Sequence, residues 1–232
     1  MVINFEENTQ QIPEQAPEQI TQTPQSNEWA NDFGKEYTNR NPHSIEEFDK
    51  LYIENYGITR TNLNKLFLEE LPKSIKILEV GPNVGAQLMG LQKLGFTNLT
   101  GLEVSEYAIE QAKENTCGIE FIHGSGLSLP FPDNSFDLVF TSGVLIHIHP
   151  DDVGKVVSEI CRVSKRLIWG FEYFAENCQE VSYRGNSDLL WKNNFMQLFL
   201  SHNPNLRILK EKKVNYLDDQ NVDHMFLLEK QN

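Results

Sequence analysis

KILEVGPNVGAQLMGLQKLGFTNLTGLEV, residues 76–104, decides the fold. KILEV (76–80) is a short apolar run that ends at Gly81 and reads as a buried strand. Residues 84–94 place Val84, Leu88 and Leu91 on one helical face. NLTGLEV (98–104) is a second strand. Strand, tight turn, helix and strand make a βαβ unit, whose crossover sets the two strands parallel. The turn itself, EVGPNVG (79–85), has the spacing Gly81-x-Asn83-x-Gly85. The two glycines permit close backbone approach, and Asn tolerates the left-handed conformation almost as glycine does.

Outward from this unit the alternation continues. Ser105 caps a helix that runs to about Asn115, IEFIHG (119–124) is a third strand, and FDLVFTS (136–142) a fourth. Asp151 opens a helix with Val153, Val156, Val157 and Ile160 at i, i+3, i+4 and i+7, and RLIWGFEYF (166–174) is a fifth strand. Strands alternating with helices predict an α/β fold with a mostly parallel sheet covered on both faces. The end of the chain changes character. Trp191 to Leu200 reads as a helix, LRILK (206–210) and HMFLLEK (224–230) as an antiparallel hairpin, and KVNYL (213–217) as strand or loop. Before the first strand, Ser44 and Glu47 form a capping box, Gly57 ends that helix, and a second helix starts near Thr61 and stops by Pro72. Residues 1–27, rich in Gln, Glu, Pro and Thr, lack apolar periodicity and read as a disordered tail. The expected organisation is therefore tail 1–27, helical segment 28–72 and main domain 73–232.

Composition bounds the function. The chain has 232 residues with 20 Lys and Arg against 33 Asp and Glu, a net charge of −13. That balance argues against nucleic acid and anionic membranes as partners. No apolar run reaches the roughly 20 residues of a membrane span. MVINFEENTQQ carries neither a basic nor an apolar leader region. Cys117, Cys161 and Cys178 have no metal-ligand spacing and read as free thiols in a reducing cytoplasm, with no metal expected. The oligomeric state is not legible.

In an open α/β sheet, ligands bind at the carboxyl ends of the strands near the switch in strand order. Glu103 ends the second strand about 20 residues past Gly81, where a carboxylate accepts hydrogen bonds from ribose hydroxyls. Both nicotinamide-dinucleotide and S-adenosylmethionine enzymes use this arrangement. HGSGLSLPFPDNSFDLVFTSGVLIHIHPDD (123–152) separates them. With Leu129-Pro130-Phe131, the run from Ser135 to Val139 and a Val-Leu-x-His element after the fourth strand, it resembles the class I S-adenosylmethionine-dependent methyltransferases. NEWANDFGKEYTNRN, TSGVLIHIHPDD and WGFEYFAENCQEVSYRGNSDLLWKNNF further resemble the methylases associated with pseudaminic acid biosynthesis, over roughly residues 28–230.

The resemblance implies a Rossmann-like fold, S-adenosylmethionine as cofactor, a small-molecule acceptor, and an N-terminal helical lid over the cofactor. The acceptor it implies is an amino sugar or a nucleotide-linked sugar, methylated on N or O. Cofactor candidates are Glu79, Gly81, Asn83, Gly85, Glu103, Val104 and Thr141 at the strand ends, with Ser125, Gly126 and Leu127 at the adenine. Ser125 stands where an Asp is common, and Pro82 departs from the expected small or sulfur residue. Tyr37 and Arg40 belong to the lid, and Arg40 suits the methionyl carboxylate. His147, His149 and Glu172 are the candidate bases for an acceptor proton, although His147 and His149 equally suit packing and helix opening. Tyr173, Tyr183 and Arg184 are the candidate substrate contacts, Arg184 for an anionic group. Methylation of a peptide or another metabolite, and a binding module without turnover, stay open as alternatives.

Overall fold

The computed structural model describes residues 23–231. Its centre is a seven-stranded sheet in the order β3-β2-β1-β4-β5-β9-β8. The strands are β1 (Lys76–Val80), β2 (Asn98–Glu103), β3 (Glu120–His123), β4 (Phe136–Ser142), β5 (Ser164–Tyr173), β8 (Leu206–Asn215) and β9 (Val222–Lys230). β1 through β5 are mutually parallel. β9 runs antiparallel between β5 and β8. The chain winds from β1 outward to β3 and then returns to β4, so the switch in strand order falls between β1 and β4. This is the Rossmann-like arrangement expected, with the antiparallel hairpin at one edge.

The inner strands β1, β2, β4, β5 and β9 alternate between two buried faces, which is why they read as largely apolar runs. Leu78, Val139 and Ile168 pack on the side of α7 (Pro150–Val163) and α8 (Phe195–His202). Ile77, Leu138, Leu167 and Trp169 pack on the opposite side against α4 (Arg60–Leu68) and α5 (Ala86–Lys93). α6 (Glu106–Asn115) adds Ile109 and Ala112 there. The sequence reading of the core elements holds to within a residue or two. Helix α6 starts one residue after Ser105, whose hydroxyl accepts the Ala108 N–H at 3.3 Å.

The termini depart further. The reading of 1–27 as a tail falls mostly outside the described residues, but α1 (Pro24–Ala30) already occupies its last four positions. Thr23 and Ser26 cap that helix reciprocally and Pro24 fits its first turn, a signal hidden in a stretch of polar composition. α2 (Asp32–Arg40) and α3 (Ile45–Tyr56) follow, the latter capped by Ser44 and ended by left-handed Gly57 as expected. Trp191 and Lys192, expected to open a helix, instead form β7 (Trp191–Lys192), paired with β6 (Gln179–Glu180), and α8 begins only at Phe195 after the Asn194 cap. The first three residues of KVNYL join LRILK in one ten-residue strand, β8, interrupted by a register shift between Ile208 and Lys210, and Tyr216 and Leu217 follow it.

One buried residue ties the N-terminal helices to the sheet. Arg60 is 0% exposed. Its guanidinium donates to Tyr52 Oη at 2.8 Å, Asn64 Oδ1 at 3.0 Å and Ser142 Oγ at 3.1 Å, and lies 4.3 Å from the Phe171 ring centroid. Arg60→Ala removes the cation–π contact and takes a donor from buried Tyr52 and Asn64 and from half-buried Ser142, so it should cost about 3 kcal/mol of unfolding free energy. Urea denaturation of the variant beside the wild type measures this.

Candidate functional site

A cavity of about 370 Å³ opens over the carboxyl ends of β1, β2 and β4. That lies within the range of small-molecule sites. Its floor is the turn from Gly81 to Val84. Gly81 has φ +76°, and a Cβ there would sit 2.7 Å from a Val144 methyl carbon, so only glycine fits. Asn83 adopts φ +48°, as its residue type allowed. Its side chain does more than tolerate the turn. Nδ2 donates to Thr38 Oγ1 at 3.0 Å and Oδ1 accepts from Asn41 Nδ2 at 2.9 Å, binding the turn to α2 and the residue after it.

Glu103 closes the turn from the side. Its Oε2 accepts the Asn83 N–H at 2.9 Å, and its Oε1 accepts the N–H groups of Val104 at 2.8 Å and Ser105 at 3.0 Å. Burial pushes this carboxyl above its ordinary range, against the pull of those three N–H groups. Three of about four acceptor positions are thus filled, and the remaining lone pair belongs to Oε2. Glu79 also lines the cavity. Its Oε2 is buried without a hydrogen-bond partner, and burial pushes the carboxyl up to about 8 although the Arg60 charge opposes the shift. Ser125, Gly126 and Leu127 line the wall beside Val104, and Ser125 Oγ accepts the Leu127 N–H at 3.2 Å.

The two histidines line the cavity, each with a structural engagement. His147 Nδ1 donates to the Leu189 carbonyl at 2.7 Å, which leaves the lone pair on Nε2. Burial pushes this ring down to about 4, so it is neutral at physiological pH. Trp29 of α1 packs 4.3 Å from it, and Tyr183 and Tyr37 flank it at 5.4 and 6.4 Å. His147 is therefore the anchor on which the N-terminal helices rest. His149 caps α7, its Nδ1 accepting the Asp151 N–H at 3.2 Å.

Five expected site residues lie outside the cavity lining. Gly85, at φ +79°, stands at the head of α5 just past the floor. Arg40 is exposed at the end of α2, 3.7 Å from Glu36, because Gly34 and Thr38 form the buried face of that helix and Arg40, two residues past Thr38, lies on the far side. Arg184 is exposed in a left-handed turn position at φ +52° and packs on the Tyr183 ring. Thr141 is buried behind Ser142. Glu172 is buried beneath the turn after β4, where Oε1 accepts the Val144 N–H at 3.2 Å. Burial pushes its carboxyl up to about 7. It positions that turn and does not face the cavity.

The sequence reading missed one group altogether. Tyr56 of α3, Tyr216 after β8 and Asp223 of β9 meet Tyr173 at the end of β5, and all four line the cavity. Tyr56 donates its hydroxyl to Asp223, and Tyr216 donates to Tyr173 Oη at 2.9 Å. These residues lie far apart in the chain, in no motif. The one available signal was Asp223, an acid just ahead of the apolar run Met225–Leu228.

Comparison with known proteins agrees with this geometry. A family described as "Methyltransferase domain" matches residues 78–167. A sterol 24-C-methyltransferase of Gibberella zeae is 35% identical over 97 residues, which cover 39% of this chain and 25% of that protein. The chain spans about a quarter of the length of such curated relatives. Among solved structures, a protein of Pyrococcus horikoshii OT3 superposes with a TM-score of 0.64 at 19% identity, covering 84% of this chain and 99% of that one. The 1,6-didemethyltoxoflavin-N1-methyltransferase of Burkholderia thailandensis, solved with 1,6-didemethyltoxoflavin and S-adenosylhomocysteine, does so with a TM-score of 0.60 at 13% identity, covering 74% and 76%. Residues 78–167 thus resemble a methyltransferase domain, and the chain shares the Rossmann-like fold of solved class I methyltransferases.

Proposed function

We propose that this protein transfers a methyl group from S-adenosylmethionine to a small molecule. The observation that carries the reading is the clasp between Glu103 and the Asn83 N–H, which sets a carboxylate beside a glycine turn over the cavity at the switch in strand order. The chain's polar groups fit the cofactor. The open lone pair of Glu103 Oε2 suits a ribose hydroxyl, and the unpartnered Glu79 Oε2 suits the methionyl ammonium. The wall from Ser125 to Leu127 suits the adenine, with the Ser125 hydroxyl in place of the commoner carboxylate.

The cofactor supplies an already activated methyl group, so the chain need form no covalent bond of its own. Its task is to hold acceptor and donor in line and to keep water out, a contribution of proximity and orientation. Trp29 and Tyr37 of the first two helices cover the cavity, which supports their role as a lid over residues 28–72. Tyr173 and Tyr183 line it where an acceptor would enter. His147, held neutral, offers Nε2 as a proton acceptor. The resemblance to the methylases associated with pseudaminic acid biosynthesis supports an amino sugar or a nucleotide-linked sugar as acceptor.

Three outcomes test this reading. Glu103→Ala should weaken S-adenosylhomocysteine binding tenfold or more in calorimetry, because the ribose loses an ionised acceptor and the turn its clasp; unchanged affinity would remove Glu103 from the site. Methyl-labelled S-adenosylmethionine incubated with the protein and a size-fractionated cell extract should place label in the small-molecule fraction. Label confined to macromolecules would overturn the small-molecule acceptor, and tight binding without any transfer would leave a binding module. The third concerns pH. Glu79 keeps its proton in the folded state up to about 8, whereas an unfolded Glu loses it near 4.5. The folded form therefore binds the extra proton across that window, and stability falls as pH rises through it. Glu79→Gln should remove this fall, an effect on the order of a few kcal/mol by pH 8. Urea midpoints of both proteins from pH 5 to 9 check the sign.

A further inference from the structure

The cavity carries a third carboxylate that the cofactor reading leaves unclaimed. Asp223 lies on β9, four strands from Glu103 across the sheet, or roughly 19 Å at about 4.8 Å per strand. Its side chain is buried, at 3% exposure, yet lines the same cavity. Three tyrosines surround it. Tyr56 donates to the carboxylate, the Tyr56 and Tyr216 rings lie 4.5 Å apart, and the Tyr216 and Tyr173 rings 5.7 Å apart. The walls come from separate elements held in register. Asp223 pairs with Tyr173 across β9 and β5, and the Leu217 N–H donates to the Asn55 carbonyl of α3 at 2.8 Å.

The nearby cations are committed elsewhere. Arg60 donates to Tyr52, Asn64 and Ser142, and Lys192 donates to Asn221 while lying 5.3 Å from the Tyr173 ring centroid. Among the described residues that line the cavity, none is Lys or Arg, whereas Glu79, Glu103 and Asp223 are acidic. A phosphate or nucleotide diphosphate would enter this cavity with no cation to meet it. An amine would meet a carboxylate for its charge and tyrosine faces for its cation–π attraction.

Resting on the methyltransferase reading, we propose that Asp223, with Tyr56, Tyr173 and Tyr216, forms the acceptor subsite and takes the amino group of a small, non-phosphorylated amine. This selects the amino sugar over the nucleotide-linked sugar, and nitrogen recognition over recognition of an anion. Burial pushes the Asp223 carboxyl up to about 6, against the Tyr56 and Tyr216 hydroxyls and the more distant Arg60 and Lys192 charges.

The test is calorimetric titration at pH 7.5 of matched probes: D-glucosamine against D-glucose, benzylamine against benzyl alcohol, and glucosamine 6-phosphate as the anionic arm. Each is run with and without S-adenosylhomocysteine. In at least one pair the amine should bind tenfold or more tightly than its hydroxyl counterpart, and the phosphate should weaken glucosamine binding. Asp223→Asn should erase the amine preference while S-adenosylhomocysteine affinity stays within twofold. Should that variant fail to fold, Tyr216→Phe, which keeps the ring and removes the hydroxyl, should lower amine affinity severalfold. No amine preference in any pair, a preference that survives both variants, or tighter binding of the phosphorylated sugar would overturn the proposal. Absence of S-adenosylhomocysteine binding to the wild type would instead overturn the cofactor reading, and the titrations without it would still report on Asp223.

Discussion

A carboxylate buried at the end of a strand must be held by hydrogen bonds or take up a proton. Glu103 is held by three backbone N–H groups, and the one from Asn83 reaches across from the neighbouring strand's turn. That bond fixes the turn in the conformation in which Asn83 can grip Thr38 and Asn41. The same residue therefore links β1, β2 and the second helix. Remove the clasp, and the cavity floor loses its shape while the helices above lose a point of attachment.

The second point of attachment is aromatic. His147 stands in the turn after β4, and that turn is propped from below by Glu172. Trp29 and Tyr37 rest on its ring. A charged imidazolium would be costly in that apolar setting, and the Leu189 carbonyl fixes the neutral tautomer. Two residues expected to do chemistry, His147 and Glu172, thus have architectural work first. The acidic residues that remain exposed to the cavity are Glu79, Glu103 and Asp223, each on a different strand of one sheet.

The parallel core was legible because its strands are buried on both faces and its helices carry caps that local chemistry dictates. The run from Lys76 to Glu103 needed no tertiary information. The side of the cavity over β1 and β2 was legible for the same reason, since Gly81, Asn83 and Glu103 act through backbone geometry at strand ends. The side over β5 and β9 was not. Tyr56, Tyr216 and Asp223 are brought together only by α3 packing on the hairpin turn, and no local pattern marks them. Arg40 and Arg184 misled because charge in a loop or on a helix says what a side chain can bind, not which way the backbone aims it. Trp191 misled because a short apolar run suits a strand as well as a helix, and the Asn193-Asn194 pair that delays the helix was the weaker signal.

The position of β9 has a consequence for how the molecule is made. β9 follows β8 in the chain yet lies between β8 and β5. β8 cannot join the sheet until β9 has arrived, because its only partner there is β9. As a ribosome delivers the chain from its N-terminus, the cavity floor can assemble from β1 to β5 while the β5 edge waits, its backbone groups unpaired. Asp223 comes with the strand that seals this edge. The cavity thus gains its Asp223 wall in the same event that covers the open β5 edge, and no nascent intermediate need hold one without the other.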